Sequence, residues 1–192
     1  MREFSSINLK PYLNHKFIYE KSPDLKHIKT EIGLDNTYVV KRDLNIKNSC
    51  VFNGIEFEFS FGKNDNVVCE RQCIEINSEA IALHFIAFAY WGDTNEYVKV
   101  LYENSEEDFN VPFIDLSHKI DNSFFNSTWY GTSVSEALQV VSSGELKQPV
   151  FFHHSKIATN RKKIKAIVLP DNMFIHIFAI TLENKKFINK EG

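Results

Sequence analysis

Hydrophobic and polar positions alternate through Ile55, Phe57, Phe59 and Phe61, with Glu56, Glu58 and Ser60 between them. A period of two places successive side chains on opposite faces, so this stretch predicts a strand with one buried and one solvated face. Asn53 and Gly54, just before it, supply the positive φ angles of a tight hairpin turn and pair it with 50–52. After a turn at 64–66, residues 67–76 predict one further strand. Residues 80–91 are nearly all apolar, with Leu83, Phe85, Ala87 and Ala89 on one side and His84, Ile86, Phe88 and Tyr90 on the other. A strand covered on both faces has this composition, and the aromatic content and the stop at Gly92 and Asp93 favour it over a buried helix. Residues 97–102 then predict a hairpin arm pairing back, closed by the acidic turn 104–108. Strands follow at 111–116, 150–156, 164–169 and 174–182, the last after a turn at Pro170, Asp171 and Asn172.

One segment has two readings. Val134, Ala137, Leu138 and Val141 have helical spacing, Ser133 and Glu136 form a potential capping box and Gly144 a potential end, so 133–143 is open between helix and strand. Residues 1–47 are irregular, mixing Pro, charge and isolated apolar residues, with 38–40 the one good strand candidate among them. No repeat or Pro/Gly/Ser linker divides the chain, so the expectation is a single domain over 1–192. Its class is all-β: an antiparallel β-sandwich, a jelly roll or a relative of one, with at most one or two short helices.

Composition narrows the function. With 43% hydrophobic residues and 17 Phe in 192 residues, the chain can bury a full core. The formal charge of -3 provides no field for nucleic acid or an anionic membrane surface. The basic run Arg161, Lys162, Lys163 and Lys165 suits a solvated strand edge better than a phosphate track. There is no signal-like apolar run in 1–10 and no stretch of spanning length, and the three Cys are too few for a disulfide framework. The expected location is therefore cytoplasmic, with the sequon at Asn126 read as a polar turn.

The phrases around Leu83 and His84, then Trp91, Gly92 and Asp93, and the run from Leu169 through Asn172 into 175–182 carry a likeness. Together with 7–14 and 66–68, they resemble a family of bacterial β-sandwich domains, galactose-binding-like in fold, found alongside glycoside hydrolase domains. The resemblance implies a carbohydrate-associated sandwich. It implies no hydrolase activity, because the catalytic domain that accompanies such sandwiches has no counterpart here.

Candidate chemistry is sparse. Trp91 with Asp93, and Trp129 with Tyr130, fall at predicted strand ends beside Gly92 and Gly131, where the loops of a sandwich gather. An aromatic face for a pyranose ring with polar groups for its hydroxyls is the usual composition of a sugar site, and these four residues are the proposed ligand-binding set. The competing assignment makes both Trp core edges. His153 and His154 invite a metal, but neighbouring strand residues point to opposite faces; one is expected in the core and the other outside, and no metal or other cofactor is assigned. Cys69 and Cys73, four apart on one strand, would sit roughly 13 Å from each other and form no disulfide. Glu56 and Glu58 share a strand face about 6.6 Å apart, a spacing seen in glycosidase carboxylate pairs but also on any solvated strand.

The functional expectation is a non-catalytic module that binds a carbohydrate or sugar-bearing ligand, with no nucleic-acid or membrane partner and homo-oligomerisation possible. The alternatives are a small-molecule enzyme of sugar metabolism and a structural or oligomerising sandwich.

Overall fold

The computed structural model describes residues 2–21, 38–41, 48–118, 132–141, 149–159 and 163–185, giving the backbone course alone for 132–141. Its strands in chain order are β1 (Arg2–Ser6), β2 (Ile18–Tyr19), β3 (Val39–Val40), β4 (Ser49–Phe52), β5 (Ile55–Glu58), β6 (Val67–Glu70) and β7 (Cys73–Glu79). These are followed by β8 (Ala82–Ala89), β9 (Thr94–Tyr102), β10 (Glu106–Phe113), β11 (Thr132–Val141), β12 (Pro149–Ala158), β13 (Lys163–Val168) and β14 (Asp171–Lys185). A 3-10 turn lies at Lys10–Tyr12, and among the described residues the one other helical position is Lys41. The fold is an all-β sandwich, and its two main sheets are antiparallel throughout.

One sheet runs β1-β14-β8-β12-β11, with β6 also on β14. Strand β14 is long enough to pair with β6 through 171–177 and with β1 through 181–185 along the same edge. The other sheet runs β10-β9-β13-β7. The apolar run 80–91 becomes β8, which is central and buried at all eight positions. Leu83, Phe85, Ala87 and Ala89 enter the core between the sheets with Val98, Val100, Phe113, Ile167 and Ile177. Ile86 and Phe88 enter a second core on the far face with Phe17, Phe57, Phe152 and Phe178. Each fully buried side chain of this size contributes about 1.5–3 kcal/mol of transfer free energy, so two cores explain the heavy use of Phe.

A third layer makes that second core. The β4–β5 hairpin and the short parallel pair β2–β3 belong to neither main sheet and lie over the larger one. The alternation read at 55–58 is observed, with Ile55 and Phe57 buried and Glu56 and Glu58 exposed. The irregular N-terminal stretch holds more structure than its sequence signals, since β1 lies on β14 and Phe17 is fully buried.

Two strand expectations are corrected. Residues 67–76 are not one strand: Arg71, at φ 59°, turns the chain between β6 in one sheet and β7 in the other. Cys69 is consequently buried while Cys73 is exposed, and neither is in a disulfide. Residues 97–102 do not pair back on 80–91 either; β9 crosses to the second sheet and pairs with β10 and β13. Of the open segment 133–143, the described part, 133–141, is strand, because β11 pairs with β12 from Thr132 to Val141 around a bulge.

Candidate functional site

The crossing from β8 to β9 builds an exposed aromatic shelf. Trp91 sits at φ 74° and Gly92 at φ 115°. Left-handed backbone costs a bulky residue on the order of 1–2 kcal/mol, and here it turns the indole outward, leaving Trp91 70% exposed. The Trp91 ring stacks on Phe174 with centroids 5.8 Å apart and planes 13° from parallel. The backbone N–H of Tyr90 donates to the Phe174 carbonyl at 2.8 Å, fixing the turn to the start of β14.

Asp115, just after β10, ties the polar side of the shelf together. One carboxylate oxygen accepts the Gly92 N–H at 2.6 Å, and the other accepts the Ser117 N–H at 2.8 Å and the Ser117 hydroxyl. Burial alone would raise the Asp115 carboxyl; the bonds from Ser117 and Gly92, with the nearby His118, outweigh it and hold it below its ordinary value. The backbone N–H of Asp115 donates to Asp93 Oδ1 at 2.8 Å, and the same oxygen lies 2.9 Å from His118 Nδ1. A carboxylate only accepts, so His118 carries its proton on Nδ1 and, when neutral, presents an Nε2 lone pair. Among the described residues no hydrogen bond reaches Asp93 Oδ2 or His118 Nε2. Two polar positions therefore lie open on half-exposed side chains, one on the turn of the exposed indole and the other on the 114–118 turn hydrogen-bonded to it.

Beneath them lies His153. Its Nε2 donates to the Asp115 carbonyl at 3.2 Å, and its Nδ1 is buried without a partner. Burial lowers its pKa to about 4, so the ring is neutral. His154, on the opposite face of β12, is also buried. The expectation that one of the two points outside is overturned because β12 belongs to the sheet that is covered on both faces. Among the described residues no group of three or more His, Cys, Asp or Glu is arranged to hold a metal.

The four proposed ligand-binding residues divide accordingly. Trp91 and Asp93 share one turn, while Trp129 and Tyr130 lie outside the described residues. Phe174, Asp115 and His118 were not singled out from the sequence; the signal available was one acid, Asp115, interrupting the apolar run 111–116. Glu56 and Glu58 line a separate polar cleft of about 480 Å³ with Asn8, Lys10, Asn48 and Ser49, and it shares no residue with the shelf.

Residues 35–186 match the AziU2-like beta-sandwich domain. The chain belongs to that family. The match includes the whole shelf and all strands from β3 to β14, whereas β1 and β2 precede it. No curated protein matches the chain. The family supports the sandwich and assigns no ligand to it.

Proposed function

We propose that this domain binds a carbohydrate or sugar-bearing ligand at the shelf, without transforming it. The observation that carries the proposal is the outward indole of Trp91, held in a costly backbone conformation and backed by Phe174. Strain of this kind persists where the surrounding structure maintains it, and the bonds of Asp115 do so here. A pyranose needs an apolar face to stack on and oriented acceptors for its hydroxyls. Trp91 supplies the first, and Asp93 Oδ2 and His118 Nε2 supply the second. The galactose-binding-like resemblance read from the sequence points the same way. A glycan-array screen on the purified protein, repeated with Trp91→Ala, tests the proposal: selective binding lost in the variant supports it, and an array on which both proteins are blank overturns it.

The second reading is a small-molecule enzyme of sugar metabolism. It is favoured by the Asp93–His118 hydrogen bond, an arrangement that leaves an imidazole nitrogen exposed as a base. Product analysis of the best array hit separates the two, since a binding module returns the glycan unchanged.

A further inference from the structure

In the smaller sheet, β13 meets both of its neighbours out of step at the same residue. Ile164 pairs with Tyr102 of β9 and Ala166 with Leu101, so Lys165 has no register partner on that side. On the other side Ile164 pairs with Ser78 and Ala166 with Glu75, so two residues of β7, Ile76 and Asn77, stand against Lys165 alone. Asn77 absorbs the extra length at φ 53°, a left-handed conformation that Asn tolerates better than most residues. The bulge also resets the alternation in β13. Ile164 and Ile167 both enter the inter-sheet core, which leaves Lys165 and Ala166 together on the outer face.

A groove of about 570 Å³ opens at this double bulge, a volume within the range of small-molecule sites. Ala166 and Leu101 are register partners and give it an apolar floor, and the short Ala166 side chain gives it depth. Glu75 pairs with Ala166 from the other side, Lys165 precedes Ala166, and both line the groove. The Glu75 backbone is anchored there, because its N–H donates to the Tyr12 hydroxyl at 3.2 Å. Glu75 and Lys165 start from Cα positions one strand and one residue apart, roughly 6 Å, within reach of a cross-strand ion pair. Lys163, two residues earlier on β13, makes an ion pair with Glu103 at 3.6 Å, whereas among the described residues neither Lys165 nor Glu75 has an ion-pair partner. Glu106, which also lines the groove, is already bonded by Lys99.

We infer that this groove binds an α-amino acid with an apolar side chain, its ammonium on Glu75, its carboxylate on Lys165 and its side chain over Leu101 and Ala166. Charge complementarity selects the class. A carboxylate and an ammonium left unpaired beside an apolar floor match a ligand that carries both charges on a short backbone next to a hydrophobic group. A simple cation or a simple anion would satisfy one of the two side chains and be repelled by the other. The bulges keep this arrangement in place, since they turn Lys165 and Ala166 to the same face and hold Asn77 at the rim. The groove shares no residue with the shelf, so the inference stands apart from carbohydrate binding.

Titration of the isotope-labelled full chain with millimolar L-leucine, read by amide chemical shifts, tests this. The expected result is a saturable change at 73–77, 101–106 and 164–166 that leaves 90–93 unmoved. N-acetyl-leucine lacks the ammonium and leucinamide the carboxylate, and each should bind at least about fivefold more weakly, the upper end for one exposed ion pair. Leucine should lose about the same factor on Glu75→Gln and on Lys165→Gln, which are exposed positions whose substitution removes one charge each. The absence of a saturable change at these positions overturns the inference. So does a change that N-acetyl-leucine and leucinamide reproduce at equal concentration, or one that both variants retain in full. If a variant does not fold, the two modified leucines on the wild-type chain decide the matter by themselves.

Discussion

Trp91 stacks on Phe174 at 5.8 Å, so the exposed indole has a fixed support instead of being a mobile side chain at a loop tip. The stacking contact is worth roughly 0.5–1.5 kcal/mol, close to the cost of the left-handed backbone that presents it. Trp91→Ala should therefore change unfolding free energy by less than about 1.5 kcal/mol while weakening ligand binding by about 1–3 kcal/mol, the range for a lost aromatic anchor. Denaturant melts beside titrations with the best array hit give both numbers. A variant that loses stability and keeps affinity would return Trp91 to a purely structural role.

The two cores make matched demands on Phe85 and Phe178. Both are essentially inaccessible, the first between the sheets and the second beneath the hairpin layer. Truncation of either to Ala should cost about 3–5 kcal/mol in urea denaturation, because close-packed neighbours do not collapse fully into the void. A much smaller cost for Phe178 alone would mean that the third layer rearranges to fill the space.

The strands were legible where the period of two was uninterrupted, as at Ile55 and Phe57 or along β8. What was not legible follows from single residues that break the period. The shift between Ile177 and Ala179 in β14 reverses the alternation. Ile175 and Ile177 face the inter-sheet core, as do Ile180 and Leu182, so Glu183 is brought to the His84 side by that bulge. Strict alternation would have set it on the opposite face. His153 and His154 were misjudged for a related reason: burial on both sides of β12 depends on a layer contributed by 17–18, 39 and 55–59, distant in sequence and short in each piece. The shelf was half legible, since a Trp before a Gly at a strand end marks a turn, but the partners Asp115, His118 and Phe174 come from other strand ends.

Acid should unfold this protein at a comparatively high pH. His153 and His154 are lowered to about 4 and about 3, and His176, stacked on Phe88 and fully buried, is lowered well below its usual value by burial and by His15. Groups with depressed histidine pKa values contribute stability above about 6.5 and lose it as pH falls, at about 1.4 kcal/mol per pH unit for each. Two such groups remove roughly 5 kcal/mol between pH 6.5 and 4.5, comparable to the whole stability of a marginal domain. Unfolding free energy measured from pH 8 to 4 should thus fall steeply below 6.5. A flat profile down to pH 4.5 would contradict the neutral, buried assignment.

Glu183 and Arg2 form one ion pair with unequal consequences. The Glu183 carboxylate is buried and also bonded by His84 and Lys156, which, with Arg2, offset the burial that would raise its pKa and hold it below the usual range. Arg2 is mostly exposed. Glu183→Gln should therefore cost about 3 kcal/mol or more, because it leaves His84 and Lys156 without their anion, while Arg2→Ala should cost under about 1 kcal/mol. Equal losses in thermal unfolding would mean that the pair, and not the buried network, sets the energy.

Asp115 joins the two turns of the shelf, and its substitution tests whether they act as a unit. Its carboxylate accepts from Gly92 on one oxygen and from Ser117 on the other, so every one of these contacts needs an acceptor. In Asp115→Asn one of the oxygens becomes an NH₂, which confronts either the Gly92 N–H or the two Ser117 donors. A partly buried donor left facing a donor costs about 1–3 kcal/mol, and the charge that shortened these bonds is lost as well. The cores are not touched by the change, since their packing residues lie on other positions. The expected result is a lowered melting temperature with the same cooperative transition, together with faster exchange confined to 90–93 and 114–118. Ligand affinity should fall with it, although neither oxygen of Asp115 is one of the two open polar positions, because Trp91 and His118 would no longer hold a common orientation. Full affinity in Asp115→Asn with the local exchange increased would separate the turns from recognition and leave Trp91 to act on its own.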